Sequence, residues 1–153
     1  MTGLYNREQM LVEIDRAILN NIENNSNFCF AMIDIDDFKT VNDTYGHIKG
    51  DAVLMRLSEL ILKYCSKGDM ACRFGGDEFA IVFNNKRITE AQRITQKISK
   101  AFAASSYDFT DEMITISAGI SEYRPGMTGE ELFDSADDKL YSAKEEGKNR
   151  MCC

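Results

Sequence analysis

The stretch Arg73-Phe74-Gly75-Gly76-Asp77-Glu78-Phe79 separates two short apolar runs, Met70-Ala71-Cys72 and Ala80-Ile81-Val82-Phe83. Two strand-like runs joined by a Gly-Gly pair predict a β-hairpin with a tight turn. Asp77 and Glu78 follow the glycines directly, where a hairpin needs no negative charge. These two carboxylates can be solvent-exposed charges of the turn with no further role. Alternatively, the bare backbone admits a bulky anion while adjacent carboxylates hold a hard cation on it. The rest of the chain decides between these interpretations.

Composition restricts the class of protein. The chain has 153 residues, 44% of them hydrophobic and 28% charged, which predicts one globular domain with a sizeable core. The formal net charge of -7 argues against a nucleic-acid duplex or an anionic membrane as the main partner. No stretch has the pattern of a signal peptide or a membrane span. The five cysteines show no Cys-x-x-Cys spacing, so we expect reduced thiols in a cytoplasmic protein.

Hydrophobic periodicity predicts the order of the secondary-structure elements. They are a helix from Asn6 to about Asn24, a strand from Phe28 to Ile33, a short helix through Tyr45, a helix beginning near Gly50, the hairpin, a helix opened by Thr89, a strand from Met113 to Ile120 and a helix opened by Thr128. The expected capping pairs are Asn6 with Gln9, Thr89 with Gln92, and Thr128 with Glu131. Because the strands need helices to cover them, we predict an α/β-type fold with a mixed sheet, built from parallel crossovers plus one antiparallel hairpin.

Carboxylates cluster at the end of the first predicted strand. Asp34, Asp36 and Asp37 lie within four residues, and Asp36 or Asp37 can cap the short helix that follows. If this strand pairs with the hairpin, Asp34 and Asp77 converge at one end of the sheet. Converging carboxylates repel one another unless a cation binds, and oxygen-only ligation indicates Mg²⁺ or Mn²⁺. Such a pair suits two-metal phosphoryl or nucleotidyl transfer.

Further blocks of sequence surround these carboxylates. They are Thr2–Arg7, Asp34–Lys39, Val41-Asn42-Asp43, Gly46-His47, Gly50-Asp51, Arg73–Phe79, Ala136-Asp137, Leu140-Tyr141, Ala143-Lys144 and Gly147-Lys148-Asn149. Together they resemble the GGDEF domain of diguanylate cyclases over almost the whole chain. The resemblance implies a nucleotidyl cyclase or polymerase-palm type of fold, with helices on both faces of a mostly antiparallel, mixed sheet. It also implies that residues 1–153 are a single catalytic domain taken from a longer protein with an N-terminal regulatory region.

The resemblance implies a metal-dependent catalytic set. The implied metal ligands are Asp34, Asp77, Glu78 and the main-chain carbonyl of Ile35, for two Mg²⁺ or Mn²⁺ ions per half-site. Asp34, Asp77 and Glu78 are also the implied catalytic residues, and Glu78 is similar to the residue that assists the 3′-hydroxyl, directly or through the second metal. The implied reaction condenses two GTP into cyclic di-GMP and two pyrophosphates, each subunit of a homodimer presenting one GTP to the other.

The resemblance also implies how GTP is held. The implied substrate-binding residues are Phe38, Lys39, Asn42, Asp51, Gly75, Gly76, Lys144 and Lys148. Asn42 and Asp51 resemble the pair that reads the guanine edge, whose N1–H and N2–H need an acceptor. The three lysines resemble the cations that bind the triphosphate, and the two glycines would bring backbone against the nucleotide.

The chain departs from the family pattern at two functional positions. Lys148 stands where Arg is common, which keeps the charge but loses the bidentate fork, so weaker phosphate binding is expected. Ser66 stands in place of the Arg of an Arg-x-x-Asp product-inhibition site whose acid is present as Asp69. We therefore expect the primary product-inhibition site to be absent.

Other functions remain as alternatives. The chain could be a catalytically silent GTP-binding sensor, although the hairpin motif is intact. A cyclase that uses ATP is disfavoured by Asp51, because adenine offers no N1 donor to a carboxylate. A cyclic di-GMP receptor without catalysis is disfavoured by Ser66. His47, the only histidine, is interpreted as a structural hydrogen-bonding group rather than a catalytic base.

Overall fold

In the computed structural model, which describes residues 4–153, five strands form one sheet that helices cover on both faces. The elements are α1 (Arg7–Asn24), β1 (Phe28–Ile35), α2 (Phe38–Tyr45), α3 (His47–Tyr64), β2 (Met70–Arg73), β3 (Glu78–Asn84), α4 (Ile88–Ala103), β4 (Ile116–Glu122), α5 (Gly129–Glu145) and β5 (Met151–Cys152). Thr2 and Gly3 of the first sequence block lie outside the described residues. None of the described helices is long and apolar enough to cross a membrane.

The strand order is β2-β3-β1-β4-β5, and every neighbouring pair is antiparallel except β4 with β5. The mixed, mostly antiparallel sheet is therefore confirmed. The predicted parallel crossovers are also present, since β1 runs in the same direction as β2 and β3 in the same direction as β4. A third strand separates each of these pairs, whereas the crossover through α5 joins β4 directly to its parallel neighbour β5.

Strand β1 lies at the centre because its residues are apolar on both faces. Side chains alternate across a strand. One set, Cys29, Ala31, Ile33 and Ile35, packs in the core with α3 and α4, and the other, Phe28, Phe30 and Met32, packs in the core with α1 and α5. The unbroken apolar run thus serves two cores at once, as its sequence predicted.

The five cysteines are free thiols, and Cys29 and Cys72 are buried in the two cores. Burial raises the pKa of Cys29, Cys65 and Cys72 to about 12. These three side chains therefore behave as small apolar groups rather than nucleophiles.

Two of the three predicted helix caps are confirmed. Asn6 with Gln9 and Thr128 with Glu131 form reciprocal side-chain-to-backbone bonds at the starts of α1 and α5. The predicted Thr89 cap is wrong. Helix α4 begins at Ile88, and the Glu90 carboxylate accepts a bond from the backbone N–H of Arg87 instead.

Two predicted boundaries differ from the structure by three residues, and the ends of β1, β2 and β3 differ by one or two. Helix α3 begins at His47 rather than near Gly50, because Gly46 (φ 86°) ends α2 and opens α3 directly. Strand β4 begins at Ile116 rather than Met113, because its partner β1 ends at Ile35, opposite Ile116. Strand β5 was not predicted, since two residues carry no periodic pattern.

The Asp36 carboxylate joins three parts of the chain. Its Oδ2 accepts from the Thr115 hydroxyl at 2.7 Å and from the backbone N–H of Asn149 at 3.0 Å, and its Oδ1 accepts from the Ser117 hydroxyl at 2.7 Å. The residue is 6% exposed. The sequence prediction that Asp36 or Asp37 caps α2 is therefore wrong: Asp37 occupies the cap position with φ 55° and makes no side-chain cap bond.

We predict that Asp36→Ala lowers the free energy of unfolding by roughly 2–4 kcal/mol, because three donors lose a charged acceptor that is itself buried. Urea denaturation measures this change. The matched control is Asp43→Ala, on the exposed side of α2, for which a change within about 0.5 kcal/mol is expected. Equal stability of the two variants would contradict a structural role for Asp36.

Candidate active site

The register of β1 with β3 brings the acidic residues of the two strands together. Asp34 lies opposite Glu78, and the backbone N–H of Ile35 donates to the carbonyl oxygen of Asp77 at 3.3 Å. The carboxyl end of β1 and the hairpin turn are therefore neighbours at one edge of the sheet. This is the convergence that the sequence predicted for Asp34 and Asp77.

The Asp34 carboxylate is paired with a lysine from α5. The Lys144 ammonium lies 2.8 Å from Oδ1 of Asp34, whose side chain is 13% exposed. The ammonium is close enough for an ion pair but is not aligned as a donor, so this buried oxygen has no hydrogen-bond partner among residues 4–153. Burial raises the pKa of Asp34 to about 6. Lys144 lowers it, and the nearby charges of Asp77 and Glu78 raise it.

The hairpin turn is shaped by Arg73 and by the space over Gly75. The Arg73 guanidinium donates to the carbonyl oxygen of Gly75 at 3.2 Å and to that of Gly76 at 3.0 and 2.7 Å. Neither glycine has a positive φ. A Cβ on Gly75 would instead lie 2.6 Å from Oε2 of Glu78, which folds back over the turn. The missing Cβ at Gly75 therefore leaves room for the end of the Glu78 side chain.

A cavity of about 370 Å³ opens between α2, α3 and the hairpin turn. Six predicted site residues line it, namely Phe38, Lys39, Asn42, Asp51, Gly76 and Asp77. The base-reading pair predicted from the sequence and the acidic turn therefore face one space. We name this space the α2–α3 cavity.

Three further residues line the α2–α3 cavity without having been assigned a substrate role, namely His47, Leu54 and Arg73. His47 makes no side-chain hydrogen bond within residues 4–153, so its interpretation as a structural hydrogen-bonding group is not supported. A signal was available for two of them. His47 and Leu54 lie four residues before and three residues after Asp51, which places all three on one side of α3.

The segment 104–115 packs against the junction between α2 and α3. The Tyr45 hydroxyl is 3.1 Å from the Thr110 hydroxyl oxygen, and the Lys49 ammonium is 2.9 Å from an Asp108 carboxylate oxygen. The Tyr45 ring also packs against Phe109, with centroids 5.0 Å apart. These contacts hold the two helices that carry Asn42 and Asp51.

The three lysines implied as phosphate ligands differ in their surroundings. Lys144 is paired with Asp34, and the Lys148 ammonium is 2.6 Å from an Asp37 carboxylate oxygen. The hydrogen bond to Asp37 raises the pKa of Lys148. Lys39 is exposed at the rim of the cavity and forms no ion pair with any described residue.

The residues fit a hard divalent cation by donor chemistry. Asp34 and Asp77 offer carboxylate oxygens at one sheet edge, and the Asp34 Oδ1 is buried without a donor. In the arrangement found here, however, the described residues contain no group of three or more Asp, Glu, His or Cys side chains gathered to hold a metal ion. Lys144 supplies the positive charge beside Asp34, and Glu78 is turned toward Gly75.

Asp69, the remaining acid of the product-inhibition pattern, is bonded to other residues of the chain. The Asp69 carboxylate accepts from the backbone N–H and the hydroxyl of Ser66, both at 2.8 Å, and from the Lys86 ammonium at 2.7 Å. The side chain of Asp69 is fully buried. Sequence reasoning did not find the partner Lys86, which lies 17 residues further along the chain.

Comparisons with protein families and with curated proteins both find GGDEF-domain diguanylate cyclases. A family model described as "Diguanylate cyclase, GGDEF domain" matches residues 1–150. The chain is 32% identical to diguanylate cyclase DgcP of Pseudomonas aeruginosa over 153 residues, which are 99% of this chain and 23% of that protein. More generally, it spans less than half the length of the curated relatives that it matches.

Solved structures share the fold. The coiled coil and GGDEF domain of DgcB from Caulobacter crescentus, in complex with c-di-GMP, matches with a TM-score of 0.94 and 31% identity, over 99% of this chain and 82% of that one. The active GGEEF domain of a diguanylate cyclase from Vibrio cholerae matches with a TM-score of 0.93 and 32% identity, over 98% and 97% of the two chains.

We predict a pH dependence of stability that depends on Asp34. Because its folded pKa of about 6 exceeds the ordinary value of 3.8, the folded protein binds more protons than the unfolded chain between these values. Asp34 therefore contributes stability that is present below about pH 4 and lost as the pH rises through about 6. The loss is on the order of 3 kcal/mol.

Urea denaturation of the wild type and of Asp34→Asn, without added metal, measures this effect. The difference in unfolding free energy, wild type minus variant, should fall as the pH rises across that interval. Asp134→Asn, which removes an exposed carboxylate on α5, should give a difference that changes little with pH. An Asp34→Asn difference that is flat or rises with pH would contradict the assignment.

Proposed function

The chain belongs to the GGDEF-domain family of diguanylate cyclases, and from this membership we propose that it condenses two GTP into cyclic di-GMP and two pyrophosphates. One observation carries the proposal. The α2–α3 cavity is lined on one side by Asn42 and Asp51 and on the other by Gly76 and Asp77. A base and its phosphates can therefore occupy one continuous space beside the acidic sheet edge.

The guanine base is read by polar groups of two helices. Asp51 accepts the N1–H and N2–H donors of guanine, and the Asn42 amide contacts the same edge. Adenine has no N1 donor and would leave the Asp51 carboxylate unpaired, which is costly in a desolvated contact. Phe38 forms part of the apolar wall beside the base.

The triphosphate is neutralised by lysines and by divalent cations. Asp34, Asp77, the main-chain carbonyl of Ile35 and Glu78 would hold two Mg²⁺ or Mn²⁺ ions. When bound, such ions polarise the attacking hydroxyl and neutralise the charge of the leaving pyrophosphate. The Lys144 ammonium lies beside Asp34, and with Lys39 and Lys148 it would supply the positive charges that neutralise the phosphate oxygens. Glu78 assists the 3′-hydroxyl, after turning away from Gly75.

The product requires two copies of the site. Cyclic di-GMP contains two equivalent 3′–5′ linkages, and each forms by attack of one nucleotide's 3′-hydroxyl on the other's α-phosphate. One α2–α3 cavity holds one GTP, so two subunits facing each other complete the reaction. We further propose that residues 1–153 are the single catalytic domain of a longer protein, whose other parts control this encounter.

Product inhibition through the Asp69 position is not expected. The Asp69 carboxylate is buried and already accepts from Ser66 and Lys86, so it cannot receive a ligand without losing these bonds. Feedback by cyclic di-GMP would need another surface.

A catalytically silent GTP-binding module is the second candidate. The ion pair between Lys144 and Asp34 is the observation on its side, because an ammonium already neutralises this carboxylate. Nucleotide binding through Asn42 and Asp51 does not depend on the carboxylates of the sheet edge. The two candidates therefore differ in turnover and not in binding.

We predict that incubation with GTP and Mg²⁺ at high protein concentration yields cyclic di-GMP. Asp77→Ala should lower the rate below about one-hundredth of the wild-type value, because a metal-binding carboxylate is lost. Chromatographic product analysis measures both rates. Asp43→Ala, outside the cavity, is the matched control and should retain activity. Tight GTP binding by the wild type without any product would instead favour the silent module.

We also predict that activity depends on dimer formation. At concentrations well below the dimer dissociation constant, the rate per subunit should rise in proportion to protein concentration. Initial rates over a wide dilution series test this, with and without a fused dimeric coiled coil. A rate per subunit that is independent of concentration in the unfused chain, while sedimentation shows monomers, would contradict the requirement for two facing subunits.

A further inference from the structure

Gly50 lies where α3 passes closest to the Asn42 side chain of α2. A Cβ on Gly50 would overlap the Oδ1 of Asn42 and would lie 3.0 Å from its Cγ and 3.2 Å from the Phe38 ring. Gly50 is buried in the first half of α3 and does not have a positive φ. Its backbone conformation is therefore open to alanine, and only the neighbouring side chains exclude a Cβ.

A glycine inside a helix is unfavourable relative to alanine, because it loses more backbone freedom on folding. Nothing in the backbone of α3 compensates for this cost at Gly50. What the missing Cβ provides is room for one side-chain amide, that of Asn42, which makes no side-chain hydrogen bond with any described residue. The position is thus explained by Asn42 rather than by the helix.

In the structure the amide oxygen of Asn42, rather than its nitrogen, lies against Gly50. Asn42 lines the α2–α3 cavity while its Oδ1 lies against Gly50. Its Nδ2 donor is therefore the polar atom available to the cavity. Asp51 is the next residue of α3 and offers only acceptors when ionised. A donor beside an acceptor is complementary to the O6 and N1–H of guanine, and opposes the amino group and bare N1 of adenine.

We propose that Gly50 is a positioning residue for guanine selectivity, whose bare α-carbon holds the Asn42 amide with its donor facing the base. The inference rests on the proposed function, in that the α2–α3 cavity must receive the guanine of GTP. Gly50 itself contacts no substrate and acts through Asn42. Any side chain at position 50 displaces the amide and removes the donor for O6.

The test is a double-mutant cycle on GTP binding, measured by calorimetry with Gly50→Ala, Asn42→Ala and the double variant. Gly50→Ala should weaken GTP binding about tenfold, as expected for a lost hydrogen bond in a desolvated site. The double variant should bind like Asn42→Ala alone, because alanine at position 42 leaves nothing for the new Cβ to displace. Additive losses would overturn the proposal.

Two controls distinguish a loss of the Asn42 contact from a general folding defect: thermal unfolding of Gly50→Ala, and GTP binding by a second glycine variant. Gly50→Ala should keep a cooperative thermal unfolding transition, since the gain in helix propensity opposes the crowding against Phe38. Gly68→Ala, whose Cβ would meet open space, should bind GTP like the wild type. A Gly50→Ala variant that binds GTP as tightly as the wild type would overturn the proposal.

A nucleotide analogue identifies the contact. In 6-thio-GTP a sulfur, a weak acceptor, replaces O6 while N1–H and N2–H remain. Gly50→Ala should therefore weaken 6-thio-GTP binding clearly less than GTP binding, and equal losses would overturn the proposal. A wild type that binds ATP and GTP equally would overturn the proposed guanine specificity, and this inference with it. A selective wild type with an unaffected Gly50→Ala variant would overturn this inference alone.

Discussion

The hydrogen bonds of one buried carboxylate determine where the site can form. Asp36 accepts from Thr115 just before β4, from Ser117 in β4 and from the segment after α5. It stands between Asp34 at the acidic edge and α2, which carries Asn42. Because buried charged acceptors are costly to leave unpaired, this arrangement fixes the end of β1 against two distant segments. It places Lys144 and Lys148 over the end of β1, so the cations and the carboxylates of the site share one anchor.

The sheet edge is a place of competing charges. Asp34 is buried enough for its pKa to rise to about 6, yet Lys144 lies beside it and Asp77 and Glu78 lie close by. A carboxylate in such surroundings gains from any added cation, and the ammonium of Lys144 supplies one within the chain. If the proposed function holds, Asp34 and Asp77 would hold a divalent ion and Lys144 would be free to bind a phosphate. The raised pKa of Asp34 and its ion pair with Lys144 therefore have the same origin, a buried carboxylate close to two others.

Features determined by local sequence were predictable, and those determined by distant partners were not. The caps at Asn6 and Thr128 need only residues three positions apart, and β1 is recognisable from one apolar run. Asp36, by contrast, meets partners 79, 81 and 113 residues away, so its role could not be read from Asp34–Lys39 alone. The family resemblance supplied the candidate site residues, because a family's sequence blocks are known to meet in its fold even when they are far apart in the sequence. It did not supply the ion pair of Lys144 with Asp34, which depends on side-chain positions.

At Gly75 and Gly50 the physical reason for glycine differs from the one that the sequence suggests. In a sequence, Gly75 is taken as a sign of a tight turn, and Gly50 as a helix interruption. In the structure neither has a positive φ. Each leaves room for a polar side chain of the same chain, Glu78 in one case and Asn42 in the other. Gly119 differs, since a Cβ there would overlap the backbone of α5, and it serves the packing of that helix on β4. The constraint at Gly75 and Gly50 is therefore on the orientation of site groups, and it would persist in a chain that had lost catalysis but still bound a nucleotide through Asn42.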